Sequence, residues 1–186
     1  MLKSALVTDD TELQQILELQ QLYLKGHNSA MEEKEQGFVT VHHSFEQIKQ
    51  MHWLSPSVIV KDDDKVVGYA LTMVNECRNL IPVLVPMFEM FDKIVYKGKT
   101  LPQYQFYVIG QICVDKNYRG KGIVDMLYQK HKEAYSRKFD FIVTEISTSN
   151  SRSMRAHEKI GFKTIHQFTD AEDEWNIVLW DWNAEV

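Results

Sequence analysis

Hydrophobic residues recur at helical spacing in two stretches near the start of the chain. A short apolar strand is predicted over residues 4–8, after which Leu13, Ile16 and Leu17 follow the i, i+3, i+4 spacing of one helix face. A second helical pattern covers residues 44–54. The chain is therefore expected to begin with one strand and two helices.

A hairpin and a long connection follow in the pattern. Strands rich in valine are predicted over 57–61 and 66–74, and the aspartates of the turn between them lack further ligands for a metal ion, so no metal site is expected. Residues 77–105 then separate the hairpin from the next strand, with a helix predicted over 83–94. So long a connection between strands is typical of a lid or binding loop. An added helix that packs into the core is the alternative interpretation.

The second half of the chain alternates strand and helix patterns. An apolar strand is predicted over 106–114, and its interior Gly110 indicates a bulge or a close approach to the backbone. The remaining elements are a helix to about residue 138, a strand over 141–146, a helix over 151–160 and strands over 162–168 and 175–182. The order β-α-α-β-β-(insert)-β-α-β-α-β-β predicts an α/β fold with a mixed sheet.

Composition and charge narrow the class of protein. The chain has 186 residues and a formal net charge of −5, so it lacks the basic footprint of a nucleic-acid-binding protein. No apolar run approaches the roughly 20 residues of a membrane helix, and residues 1–12 are too acidic for a signal peptide. Two cysteines, Cys77 and Cys113, are too few for a disulfide framework and fit a reducing compartment. We therefore expect one cytoplasmic domain over residues 1–186, with no nucleic-acid or membrane partner.

The tetrapeptide Arg119-Gly120-Lys121-Gly122 lies where the strand over 106–114 gives way to a helix. Glycines at such a junction let backbone N–H groups approach a ligand, and the first turn of a helix favours an anion. The spacing is neither that of a P-loop nor that of a dinucleotide fingerprint, because GxxxxGK[ST] is absent and GxGxxG lacks its third glycine. A phosphorylated ligand is therefore expected at this turn. A basic surface turn without a ligand is the alternative.

Two runs resemble signature motifs of the GNAT superfamily of N-acetyltransferases: ICVDKNYRGKGIVDMLYQKH and SNSRSMRAHEKIGF. The first resembles the acetyl-CoA-binding motif, in which a strand and V-x-x-x-x-R-G-x-G continue into a helix. The second resembles the signature N-x-x-(S/A)-x-x-x-(Y/H)-E-K-x-G-F. The resemblance is specific over residues 106–168 and topological over 1–74. It implies the acyl-CoA N-acyltransferase fold, a mixed and mostly antiparallel sheet flanked by helices, with an insert at about 77–105 between the third and fourth strands.

The resemblance also implies a reaction, in which acetyl-CoA is the cosubstrate and its acetyl group passes directly to a primary amine in a ternary complex. The residues implied to bind the coenzyme are Ile112, Cys113, Val114, Arg119, Gly120, Lys121, Gly122, Ile123, Val124, Asn150 and Ser153. The backbone of 112–114 would hold the pantetheine arm and the acetyl carbonyl, and the amides of 119–124 would hold the pyrophosphate. Asn150 and Ser153 would contact the pantetheine or the phosphates.

His157 and Glu145 are the candidate catalytic residues. His157 occupies the position at which many family members have a tyrosine that protonates the departing thiolate, and a histidine pKa of about 6.5 suits that role. A packing role is the alternative. Glu145 is the leading candidate for the base, because a carboxylate in an apolar strand is unexpected unless it has a function. It could also be the structural partner of an arginine. Weaker options are Tyr104, Tyr107, Glu76 and an ordered water. Cys113 is not expected to be a nucleophile, because the family transfers the acetyl group directly.

Two departures from the family pattern favour an alternative, a module that binds coenzyme A without catalysis. Val124 stands where the family has Gly or Ala, and the strand over 106–114 lacks the glutamate that some members use as a base. The acceptor is left open between a small-molecule amine and a peptide or protein amine. The acidic cluster of Glu32, Glu33 and Glu35 is interpreted as a solvated face or as a rim that attracts cationic acceptors. Exposed aromatic residues in the last strands would allow a homodimer.

Overall fold

The computed structural model describes residues 1–24, 39–171 and 173–183, and the acidic cluster of Glu32, Glu33 and Glu35 lies outside them. The strands of the described residues are β1 (Leu2–Leu6), β2 (Val58–Asp62), β3 (Lys65–Met73), β4 (Val95–Tyr96), β5 (Lys99–Thr100), β6 (Phe106–Val114), β7 (Phe141–Ser147), β8 (Lys163–Thr169) and β9 (Glu174–Asp181). β4 and β5 pair with each other, and the other seven form one sheet in the order β1-β2-β3-β6-β7-β9-β8. In that sheet β6 and β7 are parallel, and the other five pairs are antiparallel.

The helices of the described residues are α1 (Asp10–Leu22), α2 (Phe45–Leu54), α3 (Val85–Phe91), α4 (Ile123–Tyr135) and α5 (Ser151–Ile160). α1 packs on β3 and β6, and α4 packs across β1, β2 and β3. This order of elements confirms the predicted α/β fold, with the insert between the third and fourth strands of the main sheet. In the described part of the chain, no helix is long and apolar enough to cross a membrane.

The first strand begins two residues earlier than predicted, at Leu2–Leu6 rather than 4–8. Asp9 caps α1 by accepting a hydrogen bond from the Glu12 amide at 3.0 Å. The Glu12 carboxylate in turn accepts from the Thr8 amide at 2.7 Å. These capping bonds hold Thr8 at the start of the helix, so the strand ends before it.

The insert packs into the core of the protein. Its Phe88 and Phe91 side chains are buried, and their ring centroids lie 6.1 Å apart in an edge-to-face arrangement. Phe91 also lies edge-on to Phe106 of β6, at 6.5 Å. Of the two interpretations of this segment, the core-packing helix is the one observed, although Leu84 and Met87 also line a cavity.

The bounds predicted inside the insert are wrong. The helix predicted over 83–94 is limited to Val85–Phe91, and Pro82–Leu84 forms a separate 3₁₀ turn. Pro86 suits the first turn of α3, where its missing N–H group would have no helical acceptor. The β4–β5 hairpin was not predicted. Its turn residues Lys97 and Gly98 have φ angles of 46° and 82°, as a type I′ turn requires.

β6 contains a bulge, as its interior glycine indicated. Between Ala70 and Thr72 of β3, the opposing segment of β6 is 109–112, which holds one extra residue. Gly110 allows this close packing, because a Cβ there would lie 3.3 Å from a methionine sulfur of β3. A bulge bends its strand and interrupts pairing. β6 therefore changes direction in its middle.

A buried hydrogen-bond network holds the amide of Gln111 in this bulge. Its Oε1 accepts from the Tyr69 hydroxyl at 2.6 Å and from Gln20 Nε2 at 2.7 Å, and its Nε2 donates to the Val41 carbonyl at 2.8 Å. The Gln20 side chain also accepts from the His43 amide at 2.9 Å. The network thus ties α1, β3 and the segment before α2 to the bulge.

β6 and β7 pair over their first residues and then diverge. The paired segments are Phe106–Val108 and Phe141–Val143. Just past them, the Thr144 hydroxyl donates to the Ile109 carbonyl at 2.9 Å. The bulge of β6 follows at once. A gap therefore opens between the two strands in the middle of the sheet.

The aromatic residues in and next to β8 and β9 are buried or half-buried within their own chain. Trp180 and Phe162 are buried, and Phe168, Trp175 and Trp182 are half-buried. They do not provide the exposed surface on which the expected homodimer depended. The homodimer stays a prediction.

Three buried histidines favour their neutral forms. Burial lowers the pKa of His131 to about 3, and its Nδ1 lies 2.9 Å from the Tyr107 hydroxyl. Burial likewise lowers the pKa of His43 and of His157 to about 4. A histidine in the unfolded chain titrates near pH 6.5. Unfolding therefore takes up protons below that pH, and stability is lost as the pH falls from about 6.5 toward 4.

We expect His131→Phe to reduce the pH dependence of stability, whatever its effect on stability at neutral pH. A histidine that is neutral when folded and protonated when unfolded changes the free energy of unfolding by up to about 1.4 kcal/mol per pH unit. Urea unfolding at several values between about pH 5 and 6 measures this slope. His166→Phe, at an exposed position of β8, is the control and should keep the wild-type slope. An unchanged slope in the His131 variant would contradict the prediction.

Candidate active site

Two adjoining cavities lie at the gap between β6 and β7. The larger has a volume of about 280 Å³ and is bounded by β6, the start of α4 and one face of α5. The smaller, of about 100 Å³, is bounded by β6, β7, the start of β9 and the insert. Both cavities are lined by Val39, Ile112, Asn150, Ser153 and His157. They therefore form one continuous site with two ends.

Ten of the eleven predicted coenzyme-binding residues line the larger cavity: Ile112, Cys113, Val114, Arg119, Gly120, Gly122, Ile123, Val124, Asn150 and Ser153. Lys121 does not, and its ammonium group lies 4.6 Å from the centroid of the Tyr118 ring. Of the two predicted catalytic residues, His157 lines both cavities and Glu145 lines the smaller one. The fold thus brings the two sequence motifs to one site.

The turn that contains Gly120 and Gly122 presents its backbone to the larger cavity. Both glycines have a φ angle of 76°, in the left-handed region that favours glycine, and a Cβ on either would meet nothing within 4 Å. Gly122 is the N-cap of α4, and no side chain caps it. The first N–H groups of α4 have no helical acceptor, and residues 123–125 that carry them line the cavity. This end of the site is suited to an anion.

Three cationic side chains line the same cavity: Arg119, Arg152 and Lys159. The Arg119 Nε donates to the Val114 carbonyl at 3.2 Å, and its guanidinium lies 5.0 Å from the centroid of the Tyr23 ring. Burial, together with the nearby charge of Arg152, lowers the pKa of Arg119. Two guanidinium groups that repel each other at the edge of a cavity favour a polyanionic ligand.

Arg152 and Lys159 were not predicted as site residues, although their spacing carries a signal. Asn150 caps α5 by accepting from the Ser153 amide at 3.2 Å. With the helix start known, Arg152 and Lys159 fall seven residues apart and close to the face that carries Ser153. Tyr23, at the C-terminal end of α1, also lines the larger cavity. It lies far in sequence from the other lining residues, so no local pattern would have identified it.

The edge of β6 that faces the gap offers backbone N–H groups. The Asp115 amide donates to the Val67 carbonyl of β3 at 2.9 Å. Because N–H directions alternate along a strand, the amides of Val114 and Ile112 point away from β3. The Cys113 amide points toward β3, and burial raises the pKa of its thiol to about 12. Such a thiol is a poor nucleophile near neutral pH.

The His157 ring is buried, and both of its nitrogens are engaged. Nε2 lies 2.6 Å from the Tyr128 hydroxyl, and Nδ1 lies 2.8 Å from the Ser153 carbonyl oxygen. Since a carbonyl only accepts, Nδ1 carries the hydrogen and Nε2 accepts from Tyr128. Burial lowers the pKa of His157 to about 4, against the opposing effect of the Ser153 carbonyl. The imidazole is therefore neutral near pH 7.

Glu145 reaches the smaller cavity from the middle of β7. Its Oε2 atom is buried and has no hydrogen-bond partner among the described residues. Burial, with a smaller effect from the charge of Asp170, raises the pKa of Glu145 to about 7. A carboxyl group that titrates near neutral pH in a cavity is suited to general-base chemistry.

The weaker candidates for the base lie away from both cavities. The Tyr107 hydroxyl lies in the core beside His131, and the Tyr104 hydroxyl donates to the Tyr96 carbonyl at 2.8 Å. Glu76 is exposed in the turn after β3. Of the side chains predicted as bases, Glu145 is the one that borders the site.

The fold is similar to those of solved acetyltransferase structures. An acetyltransferase of the GNAT family from Streptococcus agalactiae 2603 matches with a TM-score of 0.66 and 13% identity, over 98% of this chain and 96% of its own. The yncA protein of Salmonella typhimurium, solved with its cofactor acetyl-CoA, matches with a TM-score of 0.63 and 13% identity, over 99% and 95%. The ribosomal-protein-S18-alanine N-acetyltransferase of Escherichia coli matches with a TM-score of 0.60 and 12% identity, over 96% and 91%. At these identities the similarity establishes the fold alone.

Comparison of the sequence with protein families identifies the family. No curated protein matches the sequence at a significant level. The model of the Acetyltransferase (GNAT) family matches residues 14–162, which is most of the chain and includes both motifs. The chain therefore belongs to the acetyltransferase (GNAT) family.

Proposed function

We propose that this chain is an N-acetyltransferase that acts as one domain and moves an acetyl group from acetyl-CoA directly to a primary amine. The observation that carries the proposal is the meeting of two unlike cavities at one gap. One has uncapped helix amides and arginines suited to a phosphorylated ligand. The other contains a buried carboxyl group whose pKa is raised to about 7. Both ligands would be bound side by side, as a ternary complex requires.

The residues of the larger cavity fit coenzyme A. The open space beside Gly120 and Gly122 lets a pyrophosphate approach the amides of 119–124. Arg152 and Lys159 add positive charge for the phosphate of coenzyme A that lies outside the pyrophosphate. Asn150 lines both cavities, at their junction. When bound, acetyl-CoA supplies an electrophilic acyl carbon and a sulfur leaving group.

Glu145 would accept the proton that the amine must lose. An alkylammonium group titrates near pH 10 and cannot attack until it is deprotonated. With its pKa raised to about 7, Glu145 is partly ionised at neutral pH and accepts that proton. The nitrogen–carbon bond then forms, the carbon–sulfur bond breaks, and the nitrogen loses a second proton. Of the two protons given up by the ammonium group, one passes to the thiolate, from Glu145 directly or through solvent, and the other passes to solvent. A thiol pKa of about 8.5 makes the transfer to the thiolate favourable.

The β6 amides would stabilise the negative charge that develops on the acetyl oxygen. Ile112 and Val114 direct their N–H groups away from β3, on the side where the gap lies. Donors held in place at developing charge usually make the largest single contribution to such catalysis. Proximity of the bound amine and acyl group supplies much of the rest.

His157 has a positioning role in this proposal, in place of the general-acid role predicted from its motif. A general acid must hold a proton that it can release near the operating pH. With its pKa lowered to about 4, His157 has almost no imidazolium form at pH 7. Its Nδ1–H is also directed to the Ser153 carbonyl. The ring instead fixes the junction of the two cavities.

A coenzyme A-binding module without catalytic activity is the second candidate function. Val124, in the larger cavity where the family has a smaller residue, is the observation that favours it. Glu145 opposes it, because a buried carboxyl group without a described partner is costly to retain without a use. Release of free thiol from acetyl-CoA in the presence of amines distinguishes the two.

The acceptor, the location and the assembly complete the proposal. The acceptor is a primary amine, either of a small molecule or of a peptide or protein. The Escherichia coli structure named above is that of an enzyme for the alanine of a ribosomal protein. A cytoplasmic location stays a prediction from the two free cysteines, and so does a homodimer.

Acetyl-CoA should raise the melting temperature of the purified protein, because a ligand at 100 times its Kd stabilises the folded state by about 2.7 kcal/mol. Arg152→Ala should weaken coenzyme A binding roughly tenfold or more, since a hydrogen bond to a charged group contributes about 1.5–3 kcal/mol. Thermal shift and calorimetric titration measure both effects. Arg155→Ala is the matched control, because Arg155 is exposed on the same helix and lines neither cavity. An unchanged melting temperature at millimolar acetyl-CoA would contradict the proposal.

Glu145→Gln should lower kcat by about 100-fold or more, the usual contribution of a general base. The wild-type kcat/KM should fall as the pH drops below about 7, because Glu145 then becomes protonated, and the variant should lose this limb. Thiol release across a pH series measures both. Glu158→Gln, at an exposed position of α5, is the control. Near wild-type turnover in the Glu145 variant would exclude its role as the base.

His157→Phe should lower kcat by less than about tenfold, because a neutral imidazole is not the acid. Tyr128→Phe, which removes only the hydroxyl that donates to Nε2, should have an effect of similar size. Steady-state thiol release gives kcat and KM for both variants. A loss of about 100-fold or more in His157→Phe alone, with KM for acetyl-CoA unchanged, would restore the general-acid role.

A further inference from the structure

Trp175 lines the smaller cavity, and its indole N–H is a second buried polar group without a described partner. Its Nε1 atom is buried and has no hydrogen-bond partner among the described residues. An indole nitrogen can only donate. A buried donor left unpaired is costly, so this group is suited to an acceptor atom on a ligand.

Trp175 and Glu145 lie on the same face of the sheet. In the antiparallel pairing of β7 with β9, Ser147 is opposite Trp175 and Glu145 is opposite Ile177. Residues opposite each other share a face, and so do residues two apart in one strand. Glu145 and Trp175 are therefore diagonal neighbours, about 7–8 Å apart at the backbone. A ligand bound to both side chains would carry its donor for Glu145 and its acceptor for Trp175 only a few bonds apart.

The buried polar side chains of β6 and β7 around this cavity are already engaged. The Ser147 hydroxyl donates to the Asp173 carboxylate at 2.5 Å, and the Thr144 hydroxyl donates to the Ile109 carbonyl at 2.9 Å. Both ends of the Gln111 amide are bonded as well. Such a site accepts a carbonyl oxygen more readily than a hydroxyl group, because a hydroxyl would bring a further donor that needs its own acceptor.

The charge around the smaller cavity separates a neutral carbonyl from a carboxylate. Among its described lining residues there is no lysine or arginine, and the one ionisable acid is Glu145. His157 is neutral near pH 7 because burial lowers its pKa to about 4. A free α-carboxylate would therefore stand near Glu145 without a cation to balance it. An amide carbonyl carries no such cost.

We propose that the acceptor is an α-amino group next to an amide carbonyl, as at the N-terminus of a peptide. Its amine lies at Glu145, and its first carbonyl oxygen accepts a hydrogen bond from Trp175 Nε1. Leu84, Met87 and Ile146 supply apolar surface for a small side chain on the α-carbon. This inference rests on the proposed acetyltransferase function and specifies its acceptor class. A lysine side chain lacks a carbonyl near its amine and does not use Trp175.

The test compares four acceptors in thiol-release assays with acetyl-CoA: alaninamide, isopropylamine, free alanine and Nα-acetyl-lysine amide. Trp175→Phe should lower kcat/KM for alaninamide about tenfold, through the lost hydrogen bond, and leave that for isopropylamine within about twofold. The comparison uses ratios of variant to wild type, because α-amino groups are less basic than alkylamines. Trp182→Phe is the matched control, since its Nε1 is also buried without a described partner but lines neither cavity.

If Trp175→Phe does not fold, the test uses the wild-type protein alone. Its kcat/KM for alaninamide should exceed that for free alanine at least tenfold. Equal losses for alaninamide and isopropylamine, or a preference for free alanine or the lysine derivative, would overturn the inference and leave the acetyltransferase proposal standing. No thiol release with any of the four, despite stabilisation by acetyl-CoA, would overturn both.

Discussion

The extra residue in β6 is the constraint from which the site follows. A strand that holds one more residue than its partner must bend, and here the bend comes just after the paired segment of β6 and β7. A bulge in a buried strand would leave polar groups unpaired unless other elements supplied partners. The side-chain amide of Gln111, within the bulge, is itself bonded to Gln20, Tyr69 and Val41, which come from three separate parts of the chain. This buried network ties the bulge to α1, β3 and the segment before α2, and so helps to fix the bend from which the gap follows.

The gap has two ends of opposite electrostatic character. The end toward α4 combines uncapped helix amides with Arg119, Arg152 and Lys159, against the one described lining carboxylate, that of Asp125, which lies 3.9 Å from Lys159, so negative charge is favoured there. The end toward β9 has Glu145 and, among its described lining residues, no lysine or arginine. In the proposed reaction, a phosphorylated donor and an amine acceptor would occupy different ends of one opening. His157 stands at the junction, where both ligands would meet.

Features that depend on residues close together in the sequence could be predicted, and features that depend on residues far apart could not. The turn from Arg119 to Gly122 and the helix over 151–160 depend on neighbouring residues, and both were predicted. The type I′ turn at Lys97-Gly98 was equally local and could have been recognised from its glycine. The pairing that brings Trp175 beside Glu145 is different, because it depends on the register between two strands separated by a helix and another strand. No pattern within either strand specifies that register, so the acceptor end of the site needed the structure.

The roles proposed for His157 and Glu145 illustrate why residue type alone does not assign acid and base. In water a histidine holds its proton to a higher pH than a glutamic acid. Here burial lowers the pKa of His157 to about 4 and raises that of Glu145 to about 7, so the order is reversed. Burial penalises the charged form in both cases, and it acts in opposite directions because one group is a cationic acid and the other a neutral acid. The carboxyl group is therefore the one that can exchange a proton near neutral pH, and it is also the one whose oxygen has no partner among the described residues. In the proposed reaction, a single residue would take a proton from the amine and pass one to the leaving thiolate, with the second proton of the ammonium group going to solvent, so no imidazolium would be needed.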